Sequence, residues 1–335
     1  MYLVFELSMS KPILISGFKP SGELHIGNYL GALKNAVELQ NSGKYNCFYF
    51  IADYHSLTQR YKPEEKKEEI YKMAVDVLAV GIDPQKSVFF IQSHILEHAN
   101  LAWIFNTISP VGRLQGMIEY KEKLSEGQTP NMGLLDYPVL QAADILLYKA
   151  EAVPIGDDQK QHLELTRDLV KIFNDRFGKT FKEPKAILTK IPRVMSLDNQ
   201  NKKMSKSFPN GCLYLSDNPK IIREKIKSAV TDSGREIIYN PENKPAISNL
   251  LLIYSEFSGK SIKELEKRFK GVNYSEFKAE LAEVMIEFLK PIQERRAKLI
   301  KNRKEVIKIL EAGAAKARII AQKTMEEVKK KIGLI

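Results

Sequence analysis

Pro12-Ile13-Leu14-Ile15-Ser16-Gly17-Phe18-Lys19-Pro20-Ser21-Gly22-Glu23-Leu24-His25-Ile26-Gly27-Asn28 is the stretch on which the fold turns. Its opening apolar run, closed by Gly17, has the pattern of a parallel strand buried on both faces. A glycine-spaced turn follows. From His25 to about Gln40, apolar residues at Ile26, Leu30, Leu33 and Val37 recur at the helical period.

The same alternation continues outward. Cys47-Phe48-Tyr49-Phe50-Ile51-Ala52 reads as a second strand, closed by Asp53 and His55. Pro63 opens a helix with Glu64, Glu65, Glu68 and Glu69 near its positive end, and Gly81 stops it. Ser87 to Ile91 is a third strand and Leu96 to Asn106 a further helix. Pro138–Tyr148 reads as helix, Ala152–Ile155 as a short strand, and Gln159–Phe177 as a long helix. Strands alternating with helices predict an α/β fold, a Rossmann-like parallel sheet with helices on both faces. Ligands bind such sheets beyond the carboxyl ends of the strands, where Asp53, His55, Ser93 and His94 fall.

Residues 178–216 read as mostly irregular and polar. Beyond them the period is helical, over Pro219–Ala229, Ile247–Ser255, Ile262–Phe269, Tyr274–Leu289 and from Ile292 onward. The expected organisation is a catalytic domain over 9–190, then a smaller all-helical domain over 191–335 that includes a lysine-serine loop and a basic terminal helix.

The chain has 335 residues and a formal charge of +11, which suits a polyanionic partner. Between Glu294 and Lys331 thirteen lysines and arginines face five glutamates, so most of the excess lies there. The ordinary reading of such a run is a solvated helix face. Two distant cysteines, Cys47 and Cys212, fit a reducing cytoplasm and give no zinc or disulfide framework. No apolar run reaches membrane length and the first residues lack a basic leader, so the expectation is a cytoplasmic protein with no membrane partner. The recognisable fold starts near Lys11, with Met9 a candidate initiator.

The turn Gly17–Gly22 spells G-x-x-x-x-G, but Glu23 and Leu24 stand where a Walker loop needs Lys and Ser or Thr. There is no G-x-G-x-x-G after the first strand, which argues against a dinucleotide-dependent oxidoreductase. What remains is a cation at Lys19, a hydroxyl at Ser21, and His25 and Asn28 one turn apart at a helix entrance that favours anions. Far along the chain lies Lys203-Met204-Ser205-Lys206-Ser207, with two ammonium groups three residues apart. Flanked by polar residues, it reads as a mobile loop able to close over a nucleotide and offset charge on departing pyrophosphate. His94-Ile95-Leu96-Glu97-His98 spells H-x-x-E-H, but it begins at a strand end and has no evident third ligand, so no metal site is expected.

His25–Asn28 and Lys203–Ser207 resemble the two signatures of class I aminoacyl-tRNA synthetases. Ser16–Tyr29, Gly156-Asp157-Asp158-Gln159-Lys160-Gln161-His162 and Lys227-Ser228-Ala229-Val230-Thr231-Asp232-Ser233 narrow the resemblance to the bacterial tryptophanyl family, from about Lys11 to the end of the chain. The resemblance implies ATP as substrate with Mg²⁺, L-tryptophan, tRNA(Trp) rather than DNA as the polyanion, and a homodimer. It places ATP on Lys19, Pro20, Ser21, Gly27, Asn28, Gly156, Asp157, Asp158, Val194, Lys203, Met204, Ser205, Lys206 and Ser207. Tryptophan falls to Asp144, Gln159, Tyr137, Gln141 and His55, with Ile15, Val153 and Ile155 as walls. Catalysis falls to His25, Asn28, Lys123, Lys203 and Lys206. Tyr137, Gln141 and Asp144 share a helix face, so they can converge on one pocket. An indole has one N–H donor, and a buried carboxylate at Asp144 is an apt acceptor that phenylalanine would leave unpaired. Gln141 stands where many bacterial members have methionine, and Lys19 where glutamine is common. Gln141 with Asp144 resembles the pair tyrosyl enzymes use, but Ile15 replaces their hydroxyl-binding tyrosine. A metabolite nucleotidyltransferase and a non-catalytic RNA-binding protein are the rival readings. The first predicts exchange with a non-aromatic acid, and the second the loss of one ATP motif.

Overall fold

The computed structural model describes residues 10–58, 60–125, 127, 129–156, 159–188, 193–206 and 208–335. Its centre is a parallel sheet of five strands, β1 (Ile13–Phe18), β2 (Asn46–Ile51), β3 (Ser87–Ile91), β4 (Ala152–Ile155) and β5 (Lys185–Leu188), in the order β3-β2-β1-β4-β5. Ile15 stands opposite Phe48, and Phe48 opposite Val88. The chain moves outward from β1 to β3, then returns to lay β4 on the other side of β1. That reversal opens a crevice at the strand ends.

The strand period of two divides the core. Leu14, Cys47, Tyr49, Ile51, Phe89 and Ile91 face one layer, and Ile15, Phe48, Phe50, Val88, Phe90, Val153 and Ile155 the other. Helices α1 (Lys34–Asn41) and α2 (Pro63–Val80) cover the first face. Helices α3 (Glu97–Asn106), α4 (Ile118–Ser125), α5 (Met132–Leu147) and α6 (Lys160–Phe177) follow, and α3, α5 and α6 build the second face. Then come α7 (Pro219–Ser228), α8 (Pro245–Ser258), α9 (Ile262–Arg268), α10 (Tyr274–Lys301) and α11 (Arg303–Lys331). The fold is the expected Rossmann-like α/β sheet followed by helices. Among the described residues, no helix is long and apolar enough to cross a membrane.

Three readings need correction. Residues 178–216 contain a strand, β5, whose exposed or half-buried Lys185, Ala186, Ile187 and Leu188 carry no strong apolar signal because it forms the sheet edge. Helix α5 begins six residues before Pro138, and α10 runs through Pro291 instead of stopping at Leu289. A proline removes one helical hydrogen bond, which the packing of Met285, Leu289 and Ile292 outweighs. The basic terminal helix α11 also folds back on the sheet. Val306 and Leu310 join the core of the first face, while Ala314, Ala317, Ala321, Met325 and Val328 join that of the second.

The approach of α11 to edge strand β3 is close: a β-carbon at Gly313 would lie 1.9 Å from the Phe89 carbonyl oxygen. Alanine in a helix interior is worth about 1 kcal/mol over glycine. Here the clash is with backbone, which cannot rotate away, so the contact decides the sign. Gly313→Ala is expected to lower stability by about 1–3 kcal/mol, measured as a fall in the urea midpoint. A raised midpoint would show that α11 does not sit this tightly on β3.

Candidate active site

One side of the site starts where β1 ends. Lys19 to Gly22 turn the chain, with Gly22 at φ 87°. His25 then caps the helical stretch that follows. The Asn28 N–H donates to His25 Nδ1 at 3.3 Å, and the His25 N–H donates to Asn28 Oδ1 at 3.2 Å. Burial, with Lys206 and Lys203 nearby, lowers the His25 pKa to about 4, so the ring is neutral at pH 7. Because Nδ1 accepts, the ring proton sits on Nε2, where it is a donor for an anion. The Asn28 amide nitrogen is the donor its side chain keeps.

The lysine-serine loop is brought to this turn by backbone pairing. The Ile26 N–H donates to the Leu213 carbonyl and the Leu215 N–H to the Leu24 carbonyl, each at 2.9 Å. Met204 is buried at 2% exposure, and its N–H donates to the Val194 carbonyl at 3.0 Å. Phe208, just past the loop, is 45% exposed, with the Lys202 ammonium over its ring. Lys206 Nζ donates to the carbonyls of Ser21 and Gly22, each at 3.0 Å, and reaches Ser21 Oγ at 3.3 Å. The two sequence signatures therefore touch. Burial lowers the Lys206 pKa to about 8. The Lys19 pKa is lowered by burial, raised in part by Glu119, and lowered again by Lys123 and Lys66. Lys123 on α4 thus lies within the field of the first loop.

Beside the cations is a buried carboxylate. Asp144 on α5 is 2% exposed, and donors from three other elements converge on it. His98 Nδ1 lies 2.6 Å from Oδ1, His55 Nε2 2.9 Å from Oδ2, and the Gln92 amide nitrogen 2.8 and 2.9 Å from the two oxygens. Burial pushes the Asp144 carboxyl up, but His98 and the hydrogen bonds from His55 and His98 hold it below the usual carboxylate range. His55 also stands edge-on to Tyr137. The Tyr137 hydroxyl meets His162 Nε2 at 2.9 Å, and His162 Nδ1 meets Gln159 Oε1 at 2.9 Å. Ile15, Val153 and Ile155 are buried in the core of the same sheet face. A short relay joins the two sides: Lys19 Nζ donates to Thr58 Oγ1 at 3.5 Å, Thr58 Oγ1 to the His55 carbonyl at 2.9 Å, and the His55 ring meets Asp144.

Residues 8–290 match the family described as tRNA synthetases class I (W and Y). A tryptophan–tRNA ligase of Bacillus anthracis is 46% identical over 325 residues, spanning 96% of this chain and 98% of that protein. The chain belongs to the bacterial tryptophanyl-tRNA synthetases. The tryptophan–tRNA ligase of Halalkalibacterium halodurans is 48% identical, over 97% of this chain and 98% of its own length. Among solved structures, tryptophanyl-tRNA synthetase from Mycoplasma pneumoniae superposes with a TM-score of 0.86 at 35% identity, over 96% of this chain and 98% of that one. The enzyme from Campylobacter jejuni, complexed with ADP and tryptophan, gives 0.84 at 38% identity, over 96% and 99%.

In this synthetase the structure gathers His25, Asn28, Lys19, Pro20, Ser21, Gly27, Val194, Lys203, Met204, Ser205 and Lys206 around the two loops. Of the residues expected to hold tryptophan, His55 touches the Asp144 carboxylate, Tyr137 stands against the His55 ring, and Gln159 joins Tyr137 through His162. Gln141 is half-buried on the same helix face, and Gly156 follows β4, accepting the Gln159 N–H at 3.1 Å. Asp157, Asp158 and Ser207 lie outside the described residues. Sequence reasoning did not reach Gln92, His98, Tyr148 or His162 as parts of the site. Gln92 ends the apolar run of β3 and Tyr148 that of α5, His98 falls in the zinc-like H-x-x-E-H pattern, and His162, among Lys160, Gln161 and Glu164, gives no such signal.

Proposed function

We infer that this chain attaches L-tryptophan to tRNA(Trp) at the expense of ATP, through tryptophanyl-adenylate. The reading rests chiefly on the relay from Lys19 through Thr58 and His55 to Asp144, which sets a phosphate-facing cation beside an acceptor suited to an indole. In the first step the tryptophan carboxylate attacks the α-phosphorus of ATP in line and pyrophosphate leaves. In the second, the terminal ribose hydroxyl of tRNA takes the acyl group and AMP leaves.

No protein nucleophile takes part. His25 Nε2–H, the Asn28 amide and the ammonium groups of Lys123, Lys203 and Lys206 act by position and by stabilising charge on the phosphates. The nucleotide is held between Lys19, Pro20, Ser21, Gly27 and Asn28 on one side and Val194 with the Lys203–Ser207 loop on the other, next to Gly156, Asp157 and Asp158. Among the described residues no group of three or more His, Cys, Asp or Glu is placed to hold a metal ion. Mg²⁺ would arrive with the nucleotide, whose phosphate oxygens are hard ligands of the kind it prefers. Asp144 accepts the indole N–H, Tyr137, Gln141, Gln159 and His55 line the pocket, and Ile15, Val153 and Ile155 wall it.

Residues 9–190 are assigned to the catalytic domain and 191–335 to the loop and the helical tRNA-binding domain, with α11 of the latter also packed into the core of the catalytic sheet, and the positive charge of this part suits the RNA backbone. Both cysteines are free thiols in a chain assigned to the cytoplasm. The active form is read as a homodimer. Leu96 and Trp103, on or beside α3, and Met132, heading α5, are 67%, 71% and 72% exposed, and Asn106 ties the two helices through Asp136. Such apolar exposure suits a self-complementary contact. Trp103→Glu is expected to shift the sedimenting species from dimer to the 38.2 kDa monomer. An unchanged species would place the contact elsewhere.

Amino-acid-dependent pyrophosphate–ATP exchange across all twenty amino acids tests the function. Tryptophan alone should support exchange. Exchange with tyrosine would overturn the pocket assignment, and exchange with a non-aromatic acid would overturn the whole reading.

A further inference from the structure

A carboxylate in the apolar setting of Ala142, Ala143, Ile145 and Leu146 is less favourable for folding than an apolar side chain of similar size. Yet Asp144 is held ionised by several donors, and one of them, His98, is itself held. His98 is fully buried, and both its ring nitrogens are used. Nδ1 meets Asp144 Oδ1 at 2.6 Å, and Nε2 meets the Tyr148 hydroxyl at 2.8 Å. Phe50, Phe90 and Tyr148 pack round the imidazole at centroid distances of 5.9, 6.1 and 5.4 Å, which prevents ring rotation. Burial and the Asp144 charge keep the Tyr148 phenol protonated, so it has a proton to donate. An ionised carboxylate only accepts, so the His98 proton that faces it sits on Nδ1. The two oxygens of Asp144 then differ. Oδ1 faces fully buried Gln92 and His98, whereas Oδ2 also faces His55, whose side chain is 13% exposed.

We propose that Tyr148 and His98 are positioning residues for amino-acid selection. Tyr148 O–H donates to His98 Nε2, and His98 Nδ1–H fixes Asp144 Oδ1, which turns Oδ2 toward the pocket to take the indole N–H. This rests on Asp144 being the indole acceptor. It assigns selectivity to two side chains that need not touch the substrate, and they act through the direction and charge of the carboxylate.

The test compares tryptophan with β-(3-benzothienyl)-L-alanine, in which sulfur replaces the indole N–H at nearly the same shape. The readout is the ratio of their kcat/KM values in pyrophosphate exchange by the full chain. His98→Met is expected to lower that ratio about 10-fold or more and Tyr148→Phe about 3-fold. His98→Asn, whose amide can donate from the place of Nδ1, should keep the ratio within about 2-fold of the unaltered chain. A merely structural role would reduce both substrates in proportion and leave the ratio unchanged, which would overturn the proposal. Asp144→Asn separates this from the reading beneath it. If Asp144→Asn leaves the ratio intact, the indole-acceptor assignment itself fails. If Asp144→Asn lowers it and neither His98→Met nor Tyr148→Phe does, only the positioning role fails. Should thermal melts show His98→Met unfolded, Tyr148→Phe, which removes a single oxygen, decides.

Discussion

Lys206→Ala is expected to slow tryptophan-dependent pyrophosphate exchange by roughly 100- to 1,000-fold, the usual loss when one preorganised charge donor is removed from a transition state. Tryptophan affinity, measured by equilibrium dialysis without ATP, should stay within about 2-fold, because uniform substrate binding does not use this group. The reason is geometric. Lys206 Nζ already sits on the Ser21 and Gly22 carbonyls, at the mouth of the turn where phosphates are expected, so it need move only a short way to exchange them for phosphate oxygens. Its protonation gives a second signature. In the proposed role the ammonium is the working form, and burial lowers the Lys206 pKa to about 8, so kcat/KM for ATP should fall as pH rises through about 8. Lys206→Arg keeps its charge throughout that range and should not show this fall, even if it is slower overall. Equal loss of tryptophan binding and of rate in Lys206→Ala would contradict the assignment.

Asp144→Ala should raise the tryptophan dissociation constant about 10- to 150-fold, the worth of one hydrogen bond to a charged acceptor. Preference for tryptophan over phenylalanine should fall further, by about two to three orders of magnitude, since the unpaired carboxylate that penalises phenylalanine disappears with the side chain. The variant also leaves Gln92 and His98 as buried donors without their acceptor, so its urea midpoint should fall. Competition binding of the two amino acids, on protein shown to be folded by thermal melt, checks this. Unchanged preference would move indole recognition to another residue, with Gln141 the next candidate on the same helix face.

Several elements were readable from local pattern. Pro63 and Gly81 bracket α2 at the boundaries found, and the Ala152–Ile155 run is β4. Helices α5 and α10 were mis-bounded for one reason: a proline weakens a helix locally, but long-range packing can outweigh it. Strand β5 escaped notice because a sheet edge does not need the apolar residues that mark a central strand. For the proposed pocket, the family resemblance named Tyr137, Gln141 and Asp144, and helical spacing only set them on one face. Spacing did not reach His98 and Tyr148, since their partners are 46 and 50 residues away.

By itself the sequence determined the alternation of strand and helix, the two loops suited to a nucleotide, and the family to which the chain belongs. All of these depend on residue type and spacing over a few turns. Only the tertiary structure decided that Lys206 meets Ser21 across 185 residues, that α11 closes on β3 at Gly313, and that two histidines and a glutamine share the carboxylate of Asp144. The physical reason is that such contacts form between segments whose distance in space is set by the packing of the whole core, and no local periodicity encodes that distance.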